Sequence, residues 1–171
     1  MEREGTVAFD GNPLILIGPE LKAGDRAPDF IVLDKALKEV TLRDFSGKIK
    51  VISVTPSIDT PVCHMQAMRF NQEAEKLPDT VVILNVSMDL PFAIERFCAS
   101  ERIEKAIPLS DHRDASFGNS YGVLIKKLRL LARAIFVIDR DDVIRYMEIV
   151  PQLTNHPDYE RALEAVKKLL P

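Results

Sequence analysis

The segment Pro56–Cys63, with the sequence PSIDTPVC, separates a short run rich in Val and Ile from a stretch with helical periodicity. The preceding run, Lys50–Thr55, is bounded by turn-forming residues and predicts a buried strand. From Val62 and Met65 onward, apolar residues recur at roughly helical spacing, with polar residues such as Gln66 between them. This part of the chain therefore predicts a strand that passes directly into a helix, a connection typical of α/β folds.

Cys63 falls in the first turn of this predicted helix. Unpaired backbone N–H groups and the positive end of the helix dipole meet there, and both favour the thiolate, which is the nucleophilic form of cysteine. Thr60, three residues earlier, offers a hydroxyl to the sulfur or to a molecule that approaches it. The alternative is that Cys63 is a small buried apolar residue, but its position at a helix N-terminus favours a reactive thiol.

Composition sets the limits of this interpretation. The chain has 171 residues, 46% of them hydrophobic, so residues 1–171 are expected to form a single domain. The formal net charge of −3 gives no reason to expect nucleic acid or an anionic membrane as a partner. No signal-peptide pattern and no apolar run of membrane-spanning length is present, which predicts a cytoplasmic location. Two cysteines in a reducing compartment argue against a structural disulfide and towards a redox role or none.

The rest of the chain alternates predicted strands and helices. An N-terminal β-hairpin is predicted at about residues 6–17, with Gly11 and Asn12 suited to the turn. Further strands are predicted at Phe30–Leu33, Val40–Leu42, Thr80–Ser87, Ile107–Leu109, Ile135–Ile138 and Val143–Val150, and helical segments at Pro91–Ser100, at Ala115–Tyr121 and from Pro157 onward. This order predicts an α/β sandwich.

Two further residues are candidates for chemistry. Arg133 lies at the start of an apolar run, and because a guanidinium keeps its proton, an anion must face it wherever the strand buries it. The residues alone leave open whether that anion is a structural carboxylate or a functional group. Cys98, 35 residues after Cys63, is too distant for a CxxC pair, and its helical spacing also fits ordinary core packing.

Pro56, Thr60 and Cys63 form the pattern PxxxTxxC, which resembles the active-site signature of peroxiredoxins. The longer string SIDTPVC is similar to the thiol peroxidase subfamily. Segments that resemble that subfamily follow in its order, namely Thr80–Asp89, Pro91–Cys98, Pro108–Arg113, Tyr121–Ile125 and Leu131–Asp139. The resemblance covers nearly the whole chain and implies a thioredoxin-like fold, with a central mixed sheet flanked by helices and an added N-terminal β-hairpin.

The resemblance also implies a role for each candidate. Cys63 is the expected peroxidatic nucleophile, which becomes a sulfenic acid on attacking a hydroperoxide. Arg133 and Thr60 are expected to stabilise the developing charge, and Pro56 to shield the sulfur from water. Cys98 corresponds to the resolving cysteine, which closes an intramolecular disulfide with Cys63.

The same resemblance implies partners and substrates. It points to hydrogen peroxide and organic hydroperoxides as substrates, thioredoxin as the reductant, and a homodimer. No cofactor is expected, and no metal, because the dispersed histidines and two cysteines give no zinc spacing. His64, beside Cys63, is interpreted as a surface residue.

Two other functions remain as alternatives. One is a thioredoxin-like disulfide oxidoreductase or a peroxide-sensing thiol protein, which would exchange with protein disulfides but react slowly as a peroxidase. The other is a thioredoxin-like binding or chaperone module, in which Cys63 only packs. The combination of Pro56, Thr60, Cys63 and Arg133 disfavours both.

Overall fold

The structure, a computed structural model, describes residues 1–171. The strands are β1 (Glu2–Phe9), β2 (Asn12–Ile17), β3 (Ile31–Leu33), β4 (Glu39–Thr41), β5 (Ile49–Val54), β6 (Val81–Ser87), β7 (Ile107–Ser110), β8 (Leu124–Ile125), β9 (Ala134–Ile138) and β10 (Ile144–Ile149). The helices are α1 (Pro61–Lys76), α2 (Pro91–Glu101), α3 (Ser116–Ser120) and α4 (Tyr159–Leu169), and a short 3₁₀ turn spans Leu42–Phe45.

A seven-stranded mixed sheet forms the centre, in the order β10-β9-β5-β6-β7-β3-β4. Strands β5, β6 and β7 are parallel, whereas β9 is antiparallel to β5 and β10 is antiparallel to β9. Every residue of β5 is buried, because successive side chains point to opposite faces and both faces are covered. The predicted central mixed sheet flanked by helices is confirmed.

The two faces of the sheet carry separate apolar layers. Val51, with its neighbours on β6 and β9, packs against α1, α2 and α4. Ile52 packs on the opposite face, in a core that includes α3 and the N-terminal strands. Aromatic rings dominate this second core, where Phe117 stacks on Tyr121 at 4.3 Å and both rings meet Phe136 edge-on.

The N-terminal hairpin is present and begins earlier than predicted, at Glu2. Its two-residue turn is Asp10-Gly11, with φ of 47° and 78°, and not Gly11-Asn12, because Asn12 already pairs with Phe9. A turn of this kind needs positive φ at both central residues, which Asp and Gly tolerate. The hairpin forms a separate three-stranded sheet with β8, a strand that the sequence analysis did not predict.

Helix α1 presents a different face to the sheet from the one predicted. Met65 is 56% exposed, whereas Gln66 is fully buried. The buried positions of the helix are Cys63, Gln66, Ala67, Phe70 and Asn71. These positions follow a regular three- and four-residue spacing, so the rotation of the helix places two polar residues in the apolar layer, where their side chains form hydrogen bonds.

The last helix also starts later than predicted. Pro157 precedes it, and the Asp158 side chain caps its N-terminus by accepting a hydrogen bond from the Arg161 N–H at 3.0 Å. Leu163 and Val166 face the core, and Leu170 lies beyond the end of the helix. The chain contains no helix with the length and apolar character needed to span a membrane.

Candidate active site

Cys63 lies in the first turn of α1, directly after the end of the central strand β5. Thr60 is the N-cap of this helix, and Pro61 occupies its first position, where the missing N–H costs no hydrogen bond. The Cys63 side chain is fully buried. The local sequence thus places the sulfur at the positive end of a 16-residue helix and out of contact with water.

Arg133, the residue before β9, holds its guanidinium against this sulfur. The Nη2–Sγ distance is 3.3 Å, and the residue is only 2% exposed. Nε and Nη2 also donate to the carbonyl of Leu153, at 3.0 Å and 2.8 Å. None of the ion pairs in the structure includes Arg133, so the alternative in which a carboxylate pairs with it is wrong. The Cys63 sulfur is the side-chain atom that faces the guanidinium besides the amide oxygen of Gln66.

Gln66 completes the contacts of the guanidinium. Its Oε1 accepts a hydrogen bond from Arg133 Nη1 at 3.0 Å, and its Nε2 donates to Ser53 Oγ at 2.8 Å and to the Val54 carbonyl at 3.3 Å. The bonds to β5 hold the amide so that its oxygen faces Arg133. Gln66 is one of the polar positions in the helical pattern of α1, and its three-residue spacing from Cys63 is the sequence signal for a shared face.

The structure places Pro56 and Thr60 beside the guanidinium. Both residues line a cavity of about 390 Å³ together with Arg133, Pro61, Val62, Leu153, Thr154, Phe9, Leu128 and Leu130. Pro56 is buried, whereas Thr60 is exposed. The Thr60 hydroxyl donates to the Ser57 carbonyl at 3.1 Å and has no hydrogen bond to the sulfur. The volume lies within the range of small-molecule sites, and most of the lining is apolar.

Asp89, which follows β6, holds the loop that precedes Cys63. Its carboxylate accepts hydrogen bonds from the Ser57 hydroxyl at 2.8 Å and from the Ile58 N–H at 2.9 Å. No local pattern singles out Asp89, because the contact joins segments about 30 residues apart. The loop that carries Pro56 and Thr60 is thereby fixed to the chain that leads into α2.

Cys98 lies near the end of α2 and is 9% exposed. Burial raises the pKa of its thiol, and the positive charge of Lys35 opposes this effect. Cys63 and Cys98 are both free thiols on separate helices and form no disulfide with each other in this structure.

The remaining ionisable groups near the site do not converge on a metal. No three His, Cys, Asp or Glu side chains are arranged to hold a metal ion. His64, interpreted as a surface residue, is partly exposed but pairs with Glu101 of α2 through Nε2 and Oε2 at 3.3 Å. Its ring also meets Phe97 edge-on, with centroids 5.3 Å apart.

Comparisons with known proteins agree with the fold and with the site. The Redoxin family model matches residues 22–163. A thiol peroxidase of Halalkalibacterium halodurans is 56% identical over 165 residues, which cover 96% of this chain and 99% of that protein. The Bacillus subtilis thiol peroxidase is 52% identical over 164 residues, 96% of this chain and 98% of that one. A peroxiredoxin-like protein from Aquifex aeolicus superposes with a TM-score of 0.91 at 41% identity, covering 97% and 98% of the two chains.

A thioredoxin-like fold with a cysteine and an arginine at its centre defines a class of thiol-dependent redox proteins, and this chain belongs to the Redoxin family. Within that family it belongs with the thiol peroxidases, to which it is similar over almost its entire length. The resemblance drawn from PSIDTPVC and the segments that follow it is confirmed.

Proposed function

We propose that this protein is a thiol peroxidase that reduces hydroperoxides to water or an alcohol, with Cys63 as the nucleophile. The observation that carries the proposal is the buried Arg133 guanidinium, which lies 3.3 Å from the Cys63 sulfur and also lines the cavity. It favours the thiolate and presents fixed donors to the oxygens of a bound peroxide. The apolar lining of the cavity supports organic hydroperoxides as substrates beside hydrogen peroxide.

In the first step the Cys63 thiolate attacks the terminal oxygen of the hydroperoxide. An S–O bond forms while the O–O bond breaks, so sulfur is oxidised to a sulfenic acid and the peroxide is reduced. The leaving alkoxide or hydroxide takes up a proton and departs as an alcohol or as water. Because negative charge develops on the oxygens, Arg133 and the N–H groups at the start of α1 lower the barrier, and Pro56 limits access of water.

In the second step Cys98, as a thiolate, attacks the sulfenic sulfur. The new S–S bond displaces hydroxide, which leaves as water after protonation. The two cysteines begin on separate helices, so the first turn of α1 and the end of α2 must open before the sulfurs meet. A dithiol protein of the thioredoxin type then reduces the Cys63–Cys98 disulfide by thiol exchange, and no bound cofactor is required.

Oligomeric state and location belong to the same proposal. Phe9 and Leu128, at the edge of the cavity, are 44% and 46% exposed, which supports a homodimer that covers this edge. A reducing cytoplasm supports the cycle, because the dithiol donor must remain reduced.

A thiol count after one turnover tests the mechanism. Reduced protein is mixed with an equal amount of hydrogen peroxide, and free thiols and intact mass are then measured. The expected result is loss of both thiols in the wild type, with an intramolecular disulfide. Cys63→Ser is expected to consume no peroxide, whereas Cys98→Ser should consume it once and accumulate the sulfenic acid.

The same measurement separates the alternatives. Unchanged thiols after peroxide would contradict the proposal. A disulfide oxidoreductase would leave the thiols intact with peroxide but lose them with a protein disulfide. If the mass instead shows a disulfide between two chains, the peroxidase function stands, but Cys98 is not the partner of Cys63 within one chain.

A further inference from the structure

The side chains of α2 that flank Cys98 contact the residue that follows Cys63. Glu101 Oε2 lies 3.3 Å from His64 Nε2, and the Phe97 ring meets the His64 ring edge-on, with centroids 5.3 Å apart and an interplanar angle of 88°. Phe97 directly precedes Cys98, and Glu101 is three residues after it. The set of His64, Phe97 and Glu101, here called the clasp, therefore joins the two segments that carry the two thiols.

The interior of this contact is incompletely packed. A cavity of about 20 Å³, room for roughly one water, lies between the Cys63 side, at Ile58 and Ala67, and the Cys98 side, at Ile94. Asn85 lines this cavity, and its Oδ1 is buried without a hydrogen-bond partner. The interior contact is therefore apolar and contains a void, and the clasp supplies the polar and aromatic contacts between the two segments at the surface.

Helix α2 ends directly after the turn that contains Cys98. The helix stops at Glu101, and the next residue, Arg102, adopts the left-handed conformation with φ of 55° and ψ of 43°. This conformation is unfavourable for a residue with a side chain of this size. The Cys98 carbonyl accepts hydrogen bonds from the Arg102 and Ile103 N–H groups, at 3.0 Å for Ile103, so Cys98 lies in the terminal turn of α2 with no further helical turn after it.

We propose that the clasp is a positioning device for the resolution step, and that His64 and Glu101 set how fast the Cys63 sulfenic acid is converted to the Cys63–Cys98 disulfide. This inference rests on the proposed function. The clasp holds both segments in the arrangement that attacks peroxide, and it must break before the sulfurs meet. Its strength thus divides the sulfenic acid between disulfide formation and further oxidation to the sulfinic acid.

The state of Cys98 agrees with this role. Burial in α2 raises the pKa of the Cys98 thiol, so the clasped form holds this group protonated and weakly nucleophilic. Opening of the last turn exposes the thiol to water and removes the effect of burial. Release of the clasp therefore gives the Cys98 thiol access to the Cys63 sulfur and favours the Cys98 thiolate.

The test measures the two steps separately by rapid acid quench and intact mass after one equivalent of hydrogen peroxide. Glu101→Gln and His64→Ala are compared with Glu95→Gln, a matched change at an exposed α2 carboxylate that forms no ion pair. Disulfide formation is expected to rise roughly three- to tenfold in both clasp variants, the range for a partly exposed histidine–carboxylate contact with an aromatic contact beside it. The rate of peroxide consumption should stay at the wild-type value, and sulfinic acid at excess peroxide should decrease.

Further outcomes test the proposal and separate it from the proposed function. The double variant His64→Ala/Glu101→Gln should accelerate disulfide formation by less than the product of the single effects, because both changes break one contact. Amide exchange in residues 98–102 should become faster in Glu101→Gln and stay unchanged in Glu95→Gln. Disulfide formation that is unchanged or slower in both clasp variants would overturn the proposal. A wild type that forms no disulfide would instead overturn the proposed function.

Discussion

At the scale of single residues, the site depends on one buried positive charge. Arg133 is almost fully buried, and its fixed acceptors are the neutral oxygens of Gln66 and Leu153. Neutral acceptors orient a guanidinium but do not neutralise it, so its charge acts on the Cys63 sulfur and on any oxygen bound beside it. The planar fork also allows several contacts at once, which an ammonium group cannot reproduce.

Arg133→Lys is expected to slow the reaction with hydrogen peroxide by roughly 10²- to 10³-fold, because the charge remains while the oriented donors are lost. The measurement is the second-order rate of Cys63 thiol loss under single-turnover conditions. Arg96→Lys, an exposed change on α2, is the control and should retain the wild-type rate. A wild-type rate in Arg133→Lys would show that the guanidinium geometry does not contribute.

Gln66→Leu tests the support of that guanidinium. Removing Oε1 leaves Arg133 Nη1 without its acceptor in a buried place, so we expect the rate of peroxide attack to fall roughly tenfold. Gln72→Leu, at an exposed position of the same helix, should leave the rate unchanged. Equal rates in the two variants would mean that Leu153 alone orients the guanidinium.

At the scale of elements, strand ends and helix starts position the functional groups. β5 ends just before the loop that leads to Cys63 at the start of α1, and Arg133 directly precedes β9, the neighbour of β5. The antiparallel pairing of these two strands brings the end of one beside the start of the other. Asp111, which follows β7, is a charged residue at another strand end, and its role is structural. Its carboxylate accepts the N–H groups of Phe117 and Gly118 at the start of α3.

Asp111 predicts a pH dependence of stability. Burial raises its pKa from 3.8 to about 6, and the backbone N–H donors oppose that shift. Because the folded pKa lies above the unfolded one, the native state binds more protons between these values. The contribution to the free energy of unfolding is therefore fully present below pH 3.8 and is lost as pH rises through about 6.

A comparison of the wild type with Asp111→Asn isolates the contribution of this carboxyl group to the free energy of unfolding. The stability of the wild type relative to the variant should decrease by about 2 to 3 kcal/mol between roughly pH 4 and pH 7. Urea unfolding at several pH values measures it, and the other carboxylates, including Asp139 with its lowered pKa, are common to both proteins. A stability difference that does not change with pH would contradict the raised pKa.

At the scale of the whole molecule, the cavity is built from segments that are distant in sequence. Phe9 comes from the N-terminal hairpin, Thr60 precedes α1, Leu128 follows β8, and Leu153 follows β10. Arg3 of β1 holds the hairpin to the body by donating to the carbonyl of Gly122, and it also donates to the carbonyl of Gly18, directly after β2. The approach at Gly122 is close, since an added Cβ would lie 2.0 Å from the Pro19 carbonyl oxygen. The hairpin is therefore part of the wall of the candidate site.

Phe9→Ala tests that wall. Loss of the ring removes apolar contact for a bulky substrate but not for hydrogen peroxide, so KM for cumene hydroperoxide should rise roughly three- to tenfold. The rate with hydrogen peroxide should stay unchanged. Phe92→Ala, at a surface ring of α2 with 64% exposure, is the control for both substrates. An equal loss of activity with both peroxides would indicate that Phe9 supports the fold and does not bind substrate.

The parts of the fold and of the candidate site that depend on one local pattern could be predicted from the sequence. The β5–Pro56–Cys63–α1 connection followed from proline positions and a change of period, and most strands were placed within one or two residues. The face of α1 was predicted wrongly at Met65 and Gln66, because apolar counting assumes that polar side chains face water. Gln66 is instead buried by its hydrogen bonds to Ser53 and Arg133. Strand β8 was missed because a two-residue strand carries no period.

The sequence by itself determined that a cysteine lies at a helix start, the resemblance that names the family and the order of the strands and helices, since all of these depend on neighbouring residues. Only the tertiary structure decided what faces Arg133, which loop Asp89 holds and that His64 meets Glu101. These contacts join residues that are between about 30 and 70 positions apart. Their geometry follows from how the helices rotate and pack on the sheet, and no local pattern records that packing.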